Sequence, residues 1–466
     1  MKHSLPFLSA LKKYLRQNVY PFHTPGHKGG RGILTEFAEV MSEALAVDVS
    51  LMTELDDIHV PTGVLQDAQN LAAKLYGADK SFFCVNGTSG AIHAMILACV
   101  QTGEKLLLPR NAHRSIAGAL VISGAQPIYM MPEYDKDFCL ATQVTSESIK
   151  SKFQDHSDIK AVLITSPNYY GVAAALDKIE KTVHANKAIF LVDEAHGPHL
   201  GFSDEFPLPA LSCGADAAAQ STHKIVGAMT QCSLLHVKGE LIDKEKVKQA
   251  MSLLTTTSPN QLLLASLDAA IHQLSISGKQ MAKKALHLAD YFRAALADID
   301  DIKVFNYNEY NLFDRTKVTV NVSGLGLTGY EAADFLRKQK LAVELADRSN
   351  ILFLITYADD ISEIDAAVQA MKKLTKRKKT LKTSSLPQMP VPQIILTPRE
   401  AFFRKSEKKL LKDAQGLIAT QEMNFYPPGI PVILPGELIS KDIVDYCHAH
   451  MANEQEFKEK YIDVVR

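Results

Sequence analysis

The chain has 466 residues, 46% of them hydrophobic and 22% charged, a composition that suits two or three soluble globular domains with sizeable cores. Its formal net charge of -1 removes the bulk electrostatic case for a nucleic-acid or anionic-membrane partner, so any anion must be bound locally. Apolar runs such as AMILACV stop well short of the roughly 20 residues a membrane span needs, and six cysteines scattered without a CxxC pair indicate neither a disulfide framework nor a zinc cluster; a cytoplasmic protein is expected.

Along the chain, Phe7, Leu8, Leu11, Tyr14 and Leu15 recur at helical spacing with Lys12, Lys13 and Arg16 between them, which predicts an amphipathic helix and argues against a signal peptide. Between about residues 64 and 240, helical and strand signals alternate. Val64, Leu65, Ala68, Leu71, Ala72 and Leu75 have helical period and are closed by Gly77. Residues 82 to 85 then read as a short buried strand and 89 to 101 as a helix. Further apolar runs at 106–108, 128–130, 161–164, 189–192 and 234–237 are bounded by Pro, Gly or Asn and separated by enough chain for crossovers. The fold class is therefore α/β with a mainly parallel sheet. After a helical stretch around 262–274, a smaller unit shows a strand at 318–322, a helix near 331–338, strands near 341–345 and 351–355, and a helix with Ile361, Ile364, Val368 and Met371 on one face. The basic run from Lys372 to Lys382 leads into SSLPQMPVPQ, read as a solvated linker, and a third α+β segment from about Ile394 contains the turn-rich YPPGIP. The expected division is an N-terminal helix and arm at 1–50, a large domain at 51–275, a small α/β domain at 276–380, and a linker with a C-terminal domain at 381–466.

Three stretches carry complementary chemistry. In VNGTSGAIHA, residues 85–94, a strand runs into Gly87, and Thr88, Ser89 and Gly90 open a helix; unpaired N–H groups and two hydroxyls converge there, as a phosphate cradle requires. The spacing is neither the dinucleotide GxGxxG nor a P-loop. In AIFLVDEAHG, residues 188–197, Asp193 ends a strongly apolar strand at the sheet edge where open α/β folds bind ligands, and an unpaired carboxylate there carries a desolvation cost of several kcal/mol. Glu194 and His196 lie beside it, but with no second cluster at ligand spacing no metal is expected. In AQSTHKIVGA, residues 219–228, Lys224 follows Ser221, Thr222 and His223 and lies thirty-one positions beyond Asp193, room for one crossover between neighbouring strands. A partly desolvated lysine there is a nucleophile for an aldehyde. Taken singly, the stretches also read as a capped helix, an aspartate capping a turn and a surface lysine. Together, a phosphate cradle, an acid for a pyridinium nitrogen and a lysine for an aldehyde are the three handles of pyridoxal 5′-phosphate.

The ordered motifs FHTPGHKGG, LDDIHVPTG, FFCVNGTSGAI, LPRNAHRSI, SPNYYGV, LVDEAHGPH, STHKIVGAMTQ, TTTSPNQLLLASLD, VELAD, LTPREAFF and YPPGIP cover nearly the whole length. On them the chain resembles the bacterial ornithine/lysine/arginine decarboxylase family, of the aspartate-aminotransferase-like fold, and is most similar to its shorter arginine decarboxylases. The resemblance implies that Lys224 bonds the cofactor aldehyde, that Asp193 partners the pyridine nitrogen, and that His113 stacks on the ring. It implies that Thr88, Ser89, Ser221 and His223 hold the phosphate, that His196 lies near the ring hydroxyl, and that Lys224 or His223 returns a proton to the substrate carbon. It also implies at least a dimer, with His23 to Lys28 and Ser258 facing the neighbouring subunit's cofactor. The substrate class that the resemblance implies is a basic amino acid, arginine first (to agmatine and carbon dioxide), with lysine and ornithine behind it. For substrate contact His27, Asp56 and Glu344 are the candidates. An aminotransferase or aldolase would need a cation retained for the substrate α-carboxylate, and no such Arg is identifiable; a cofactor-binding homologue without turnover is the remaining reading. The near-neutral charge favours polyamine biosynthesis over acid resistance. Asn168, Asn260 and Gln261 depart from the family's pattern and put substrate fit and phosphate contact across the dimer in question.

Overall fold

The computed structural model describes residues 5–307, 312–379, 389–425, 430–451 and 454–466. Its main elements begin with α1 (Pro6–Arg16), α2 (Val64–Tyr76), β1 (Lys80–Cys84), α3 (Gly87–Cys99), β2 (Lys105–Pro109), α4 (Ser115–Ser123), β3 (Gln126–Met130), α5 (Ser146–Asp155), β4 (Ile159–Thr165), α6 (Leu176–Ala185) and β5 (Ile189–Asp193). They continue with β6 (Ala217–Gln220), α7 (Thr222–Ile225), β7 (Ser233–Val237), α8 (Lys244–Leu254), α9 (Gln261–Ala297), β8 (Lys303–Val304), β9 (Lys317–Asn321), α10 (Gly329–Lys338), β10 (Leu345–Ala346), β11 (Asn350–Leu354) and α11 (Ile361–Thr375). The last are α12 (Pro398–Phe403), β12 (Ser406–Leu410), β13 (Met423–Phe425), β14 (Ile430–Ile433), α13 (Lys441–His450), α14 (Glu454–Glu459) and β15 (Tyr461–Val465). Among the described residues, no helix is long and apolar enough to cross a membrane. Residues 426–429 of YPPGIP and residues 380–388, which include the end of the basic run and the start of SSLPQMPVPQ, lie outside the described residues.

Two compact units form, each discontinuous in sequence. The first comprises residues 1–99, 189–202 and 209–280. Its strands lie in the order β1-β7-β6-β5; β5 and β6 run parallel, and β7 is antiparallel to both β6 and β1. Strands β5, β6 and β7 are buried at every position, which is why they read as apolar runs rather than as alternating patterns. Phe7 and Leu11 of α1, Leu65 and Ala72 of α2, Phe83 and Leu234 share one core. Gly77 terminates α2 at φ +68°, a left-handed conformation that favours glycine. Helix α9 runs 37 residues, well beyond the expected end near residue 274. Gly278 within it is a packing position: a Cβ there would stand 2.3 Å from Phe202 Cδ1.

The second unit comprises residues 100–188, 203–208 and 281–466. Its parallel strands lie in the order β4-β2-β3, and an antiparallel sheet has the order β8-β9-β11-β10. Phe292, Val318, Val320, Leu336, Ile351 and Met371 pack the latter sheet against its helices. The strand expected over 341–345 is only the two residues of β10, because pairing with β11 extends no further than Leu345 opposite Leu352. Toward the C-terminus, β12 pairs with β15 and β13 with β14 around a core containing Leu411, Ile433, Cys447 and Ile462. Within this unit Arg110, one residue past β2, reaches Glu437 at 2.9 Å and donates to the Pro431 and Val432 carbonyls at 2.7 and 2.9 Å. Both ionic side chains are 1% exposed, so the pair and its added hydrogen bonds offset the desolvation that either charge alone would suffer.

Candidate active site

The cradle is built where β1 turns into α3. Gly87 has φ +64°, a conformation glycine takes without steric cost, and the helix it opens offers first-turn amides with no intrahelical acceptor. Thr88 is buried, with its Oγ1 2.5 Å from Ser221 Oγ and 2.9 Å from Ser233 Oγ. Ser89, the next residue, is exposed. Thr222 Oγ1 is buried and has no hydrogen-bond partner among the described residues. Ser233 is a member of this group that sequence reading missed. It opens β7 opposite Cys84, a pairing that exists only once the register of β1 and β7 is known.

The titratable residues come from the ends of β5 and β6. Asp193 closes β5 at 2% exposure, and its Oδ1 accepts the Ala195 N–H at 3.2 Å. Burial pushes its carboxyl up to about 6, while the nearby Lys224 charge pulls in the opposite direction. After Ser221, the short α7 carries His223 and Lys224. Lys224 Nζ lies 3.0 Å from His196 Nε2; an ammonium can only donate, so that imidazole nitrogen accepts. His223 Nδ1 lies 2.9 Å from the Cys232 carbonyl and must carry its proton there. Burial, and then the Lys224 charge, lower the His223 pKa, so the ring is a neutral imidazole with Nε2 as its acceptor. The first unit therefore joins Lys224 with His196, keeps Asp193 within electrostatic reach of Lys224, and joins Thr88 with Ser221. In chemical terms this supplies an amine nucleophile, a buried acid that favours a cationic N–H, and an oxyanion cradle.

Other candidate residues have local tasks. Asp56, at φ +67°, accepts backbone N–H bonds from Asp57, Thr62, Gly63, Leu65 and Gln66. Its carboxylate caps the entry to α2, and those donors outweigh burial and lower its pKa. His27 Nε2 is 3.1 Å from Asp48 Oδ2, and its Nδ1 accepts from Gly30 N–H at 3.0 Å. Ser258 is exposed between α8 and α9, with its N–H bonded to Thr256 Oγ1 at 3.1 Å. In the second unit, His113 Nδ1 is 3.0 Å from Ser115 Oγ just ahead of α4, and Glu344 is exposed on a bend one residue before β10, not within a strand. The departures from the motif pattern also have local accounts. Asn168 donates to the Ala141 and Thr142 carbonyls and accepts from the Tyr170 and Val172 amides, a donor and acceptor set that a side-chain amide supplies. Asn260 Oδ1 accepts the Leu262 N–H at the start of α9, and Gln261 is buried with Nε2 3.5 Å from the Ser50 carbonyl.

Comparison with known proteins places this geometry. The Orn/Lys/Arg decarboxylase major-domain model matches residues 5–319, and the Orn/Lys/Arg decarboxylase C-terminal-domain model matches residues 379–458. The arginine decarboxylase of Bacillus subtilis (strain 168) is 40% identical over 461 residues, 97% of this chain and 94% of that protein. The arginine decarboxylase of Bacillus anthracis is 39% identical over 469 residues, 97% and 94% of the two chains. Among solved structures, the constitutive lysine decarboxylase of Escherichia coli superposes with a TM-score of 0.82 at 22% identity, covering 99% of this chain and 82% of that one. That likeness establishes the fold, and the expected aspartate-aminotransferase-like α/β architecture agrees with it.

The buried acid gives a testable pH dependence. In the ligand-free protein Asp193 stays protonated in the fold up to about pH 6, whereas unfolded it ionises near 4, so its contribution to stability falls as pH rises from about 4 to 6. Asp193→Asn is expected to stabilise the ligand-free protein by on the order of 2 kcal/mol above about pH 7, and to be near neutral below about pH 4. Denaturant midpoints of parent and variant at the two ends of that range check it; a variant destabilised equally at both contradicts it.

Proposed function

The chain belongs to the Orn/Lys/Arg decarboxylase family, and on that premise we propose that it is a pyridoxal 5′-phosphate-dependent decarboxylase converting L-arginine to agmatine and carbon dioxide. The observation that carries the cofactor reading is the pairing, in one unit, of buried Asp193 with Lys224 beside the Thr88, Ser221 and Ser233 hydroxyls. The residues present fit such a group on their own terms. A carboxylate with a raised pKa is relieved by a cationic ring N–H, and the buried Thr222 hydroxyl lacks a partner among the described residues at a helix where an oxyanion would supply one. The choice of arginine is supported by the two relatives near 40% identity over almost their whole length, both arginine decarboxylases.

When bound, pyridoxal phosphate supplies an aldehyde that captures the substrate amine and a protonated ring that takes up the electron pair left as carbon dioxide departs. The protein's residues do the rest. Thr88, Ser89, Ser221 and Ser233, with the first-turn amides of α3, would hold the phosphate. Asp193 would be held ionised by the ring N–H and would keep that proton on the nitrogen. Lys224 Nζ would hold the cofactor through its aldehyde and would supply the proton for the substrate carbon, with His196 Nε2 accepting its hydrogen bond. Neutral His223, its Nδ1–H fixed on the Cys232 carbonyl, keeps a second positive charge away from Lys224. His113 is the residue proposed to stack on the ring. Of the substrate acids, Glu344 is preferred to Asp56: its carboxylate is exposed, whereas that of Asp56 is filled by backbone donors.

Assembly into at least a dimer is supported by the N-terminal arm, where Tyr20, Phe22, Leu34 and Val40 are 82%, 98%, 69% and 79% exposed; so much exposed apolar surface on one segment marks an interaction surface. A cytoplasmic location and a role in polyamine biosynthesis are part of the same reading, the former supported by six cysteines scattered without a CxxC pair.

Carbon dioxide release from arginine, lysine and ornithine, supplied singly to protein loaded with pyridoxal phosphate, tests the activity. Arginine is expected to be turned over at least about tenfold faster than either alternative, and Lys224→Ala to lower the rate by roughly 10³-fold or more. Equal rates on all three, or full activity in the variant, would refute it. Light scattering on the same preparation should return the mass of at least two chains; a monomer would refute the association.

A further inference from the structure

The sheet face opposite Asp193 carries a second polar construction that the proposed reaction does not use. Glu194 continues the β5 ladder, its N–H donating to the Ala219 carbonyl at 2.9 Å, so strand alternation turns its side chain to the far face from that of Asp193. There Glu194 Oε2 accepts from Gln220 Nε2 at 2.8 Å and Oε1 from the Ala210 N–H at 2.7 Å. Gln220 Oε1 is 3.1 Å from His236 Nε2, and His236 Nδ1 is 2.6 Å from Ser81 Oγ. An amide oxygen only accepts, so His236 donates from Nε2 and takes the Ser81 hydroxyl proton at Nδ1. Burial keeps that imidazole neutral, its pKa pushed down to about 3.

Register places the members on one face: His236 of β7 pairs with Ser81 of β1 on one side and with Ala218, two residues before Gln220, on the other. Ser81, His236, Gln220 and Glu194 are 5%, 0%, 2% and 1% exposed. A line of hydrogen bonds thus crosses the first unit's four strands, with every donor directed toward Glu194. Room is reserved for it, since a Cβ on Gly197 would stand 2.5 Å from Glu194 Cγ. Buried polar groups that are fully satisfied in this way fix one arrangement of the strands that bear them.

Two members are chain neighbours of the site: Glu194 follows Asp193, and Gln220 precedes Ser221. We propose that the Gln220–Glu194 hydrogen bond is a positioning device, tying the ends of β5 and β6 on the far face so that the acid for the ring nitrogen and the hydroxyl for the phosphate are held at the spacing that pyridoxal phosphate requires. The inference rests on the function proposed above. Neither residue touches the cofactor in this account. Both act through the strand ends they lock, and a ligand gripped at two ends loses affinity when the distance between its grips relaxes.

Equilibrium titration of the cofactor-stripped protein with pyridoxal phosphate, followed by its yellow absorbance, tests this together with the thermal midpoint of each variant. Gln220→Met keeps side-chain length and removes both bonds. The exchange variant Glu194→Gln/Gln220→Glu restores them: residue 194 then donates to the carboxylate at 220, which also accepts from His236 Nε2, while the Ala210 N–H keeps its acceptor. Gln220→Met is expected to weaken binding by on the order of tenfold or more, and the exchange variant to bind within about threefold of the parent. Parental affinity in a folded Gln220→Met, with only the melting point lowered, would show a structural role and overturn the inference. So would an exchange variant as weak as Gln220→Met. If Gln220→Met does not fold, the exchange variant decides alone, parental affinity supporting the inference and a tenfold loss overturning it. A parent protein that binds no pyridoxal phosphate overturns the proposed function and this inference with it, whereas a parent that binds beside an unaffected variant overturns this inference only.

Discussion

A carboxylate buried at the end of an apolar strand must be matched by positive charge, and the arrangement around Asp193 follows from that requirement. Strand β5 is buried throughout and ends on this acid, whose Oδ1 accepts the Ala195 N–H and which the Lys224 charge helps to ionise. Backbone contact and a neighbouring ammonium leave its carboxyl still raised to about 6, so the site has electrostatic capacity for one more cationic donor. The α/β scaffold makes this possible because two parallel strands, β5 and β6, end side by side, one delivering the acid and the other leading through Ser221 into the turn that carries the lysine.

The same constraint accounts for the histidines beside the lysine. His196 accepts from Lys224 Nζ, and His223 is held neutral with its Nδ1 proton on a carbonyl. An ammonium next to neutral imidazoles, with one buried acid within electrostatic reach, is suited to exchanging its proton during a reaction. In the second unit a different problem is solved with similar means: the Arg110–Glu437 pair, its extra hydrogen bonds made to backbone carbonyls, fastens the segment leading to His113 onto the C-terminal strands.

Much of the site was legible in the chain because its signals are local. Gly87 announces the turn, the apolar run before Asp193 announces the strand, and the ordered motifs connect both to Lys224. What escaped depends on pairing. Ser233 joins the hydroxyl cluster only because β7 lies against β1 in one register, and the line from Ser81 to Glu194 needs four strands aligned before its members can be recognised as neighbours. Asp56 has a local task that its residue type does not show. As a residue type it suits a cationic substrate, but a left-handed backbone and the amides of the following turn occupy its oxygens.

Lys224 is the group proposed to bond the cofactor aldehyde. Reduction of the pyridoxal phosphate-loaded protein with borohydride, followed by peptide mapping, addresses it most directly, because the reduced link survives digestion and reports its own position. The pyridoxyl phosphate mass is expected on the peptide containing Lys224 and on no other. Its appearance on a different lysine, or its absence from every peptide of a protein that had turned yellow, would contradict the assignment of the site.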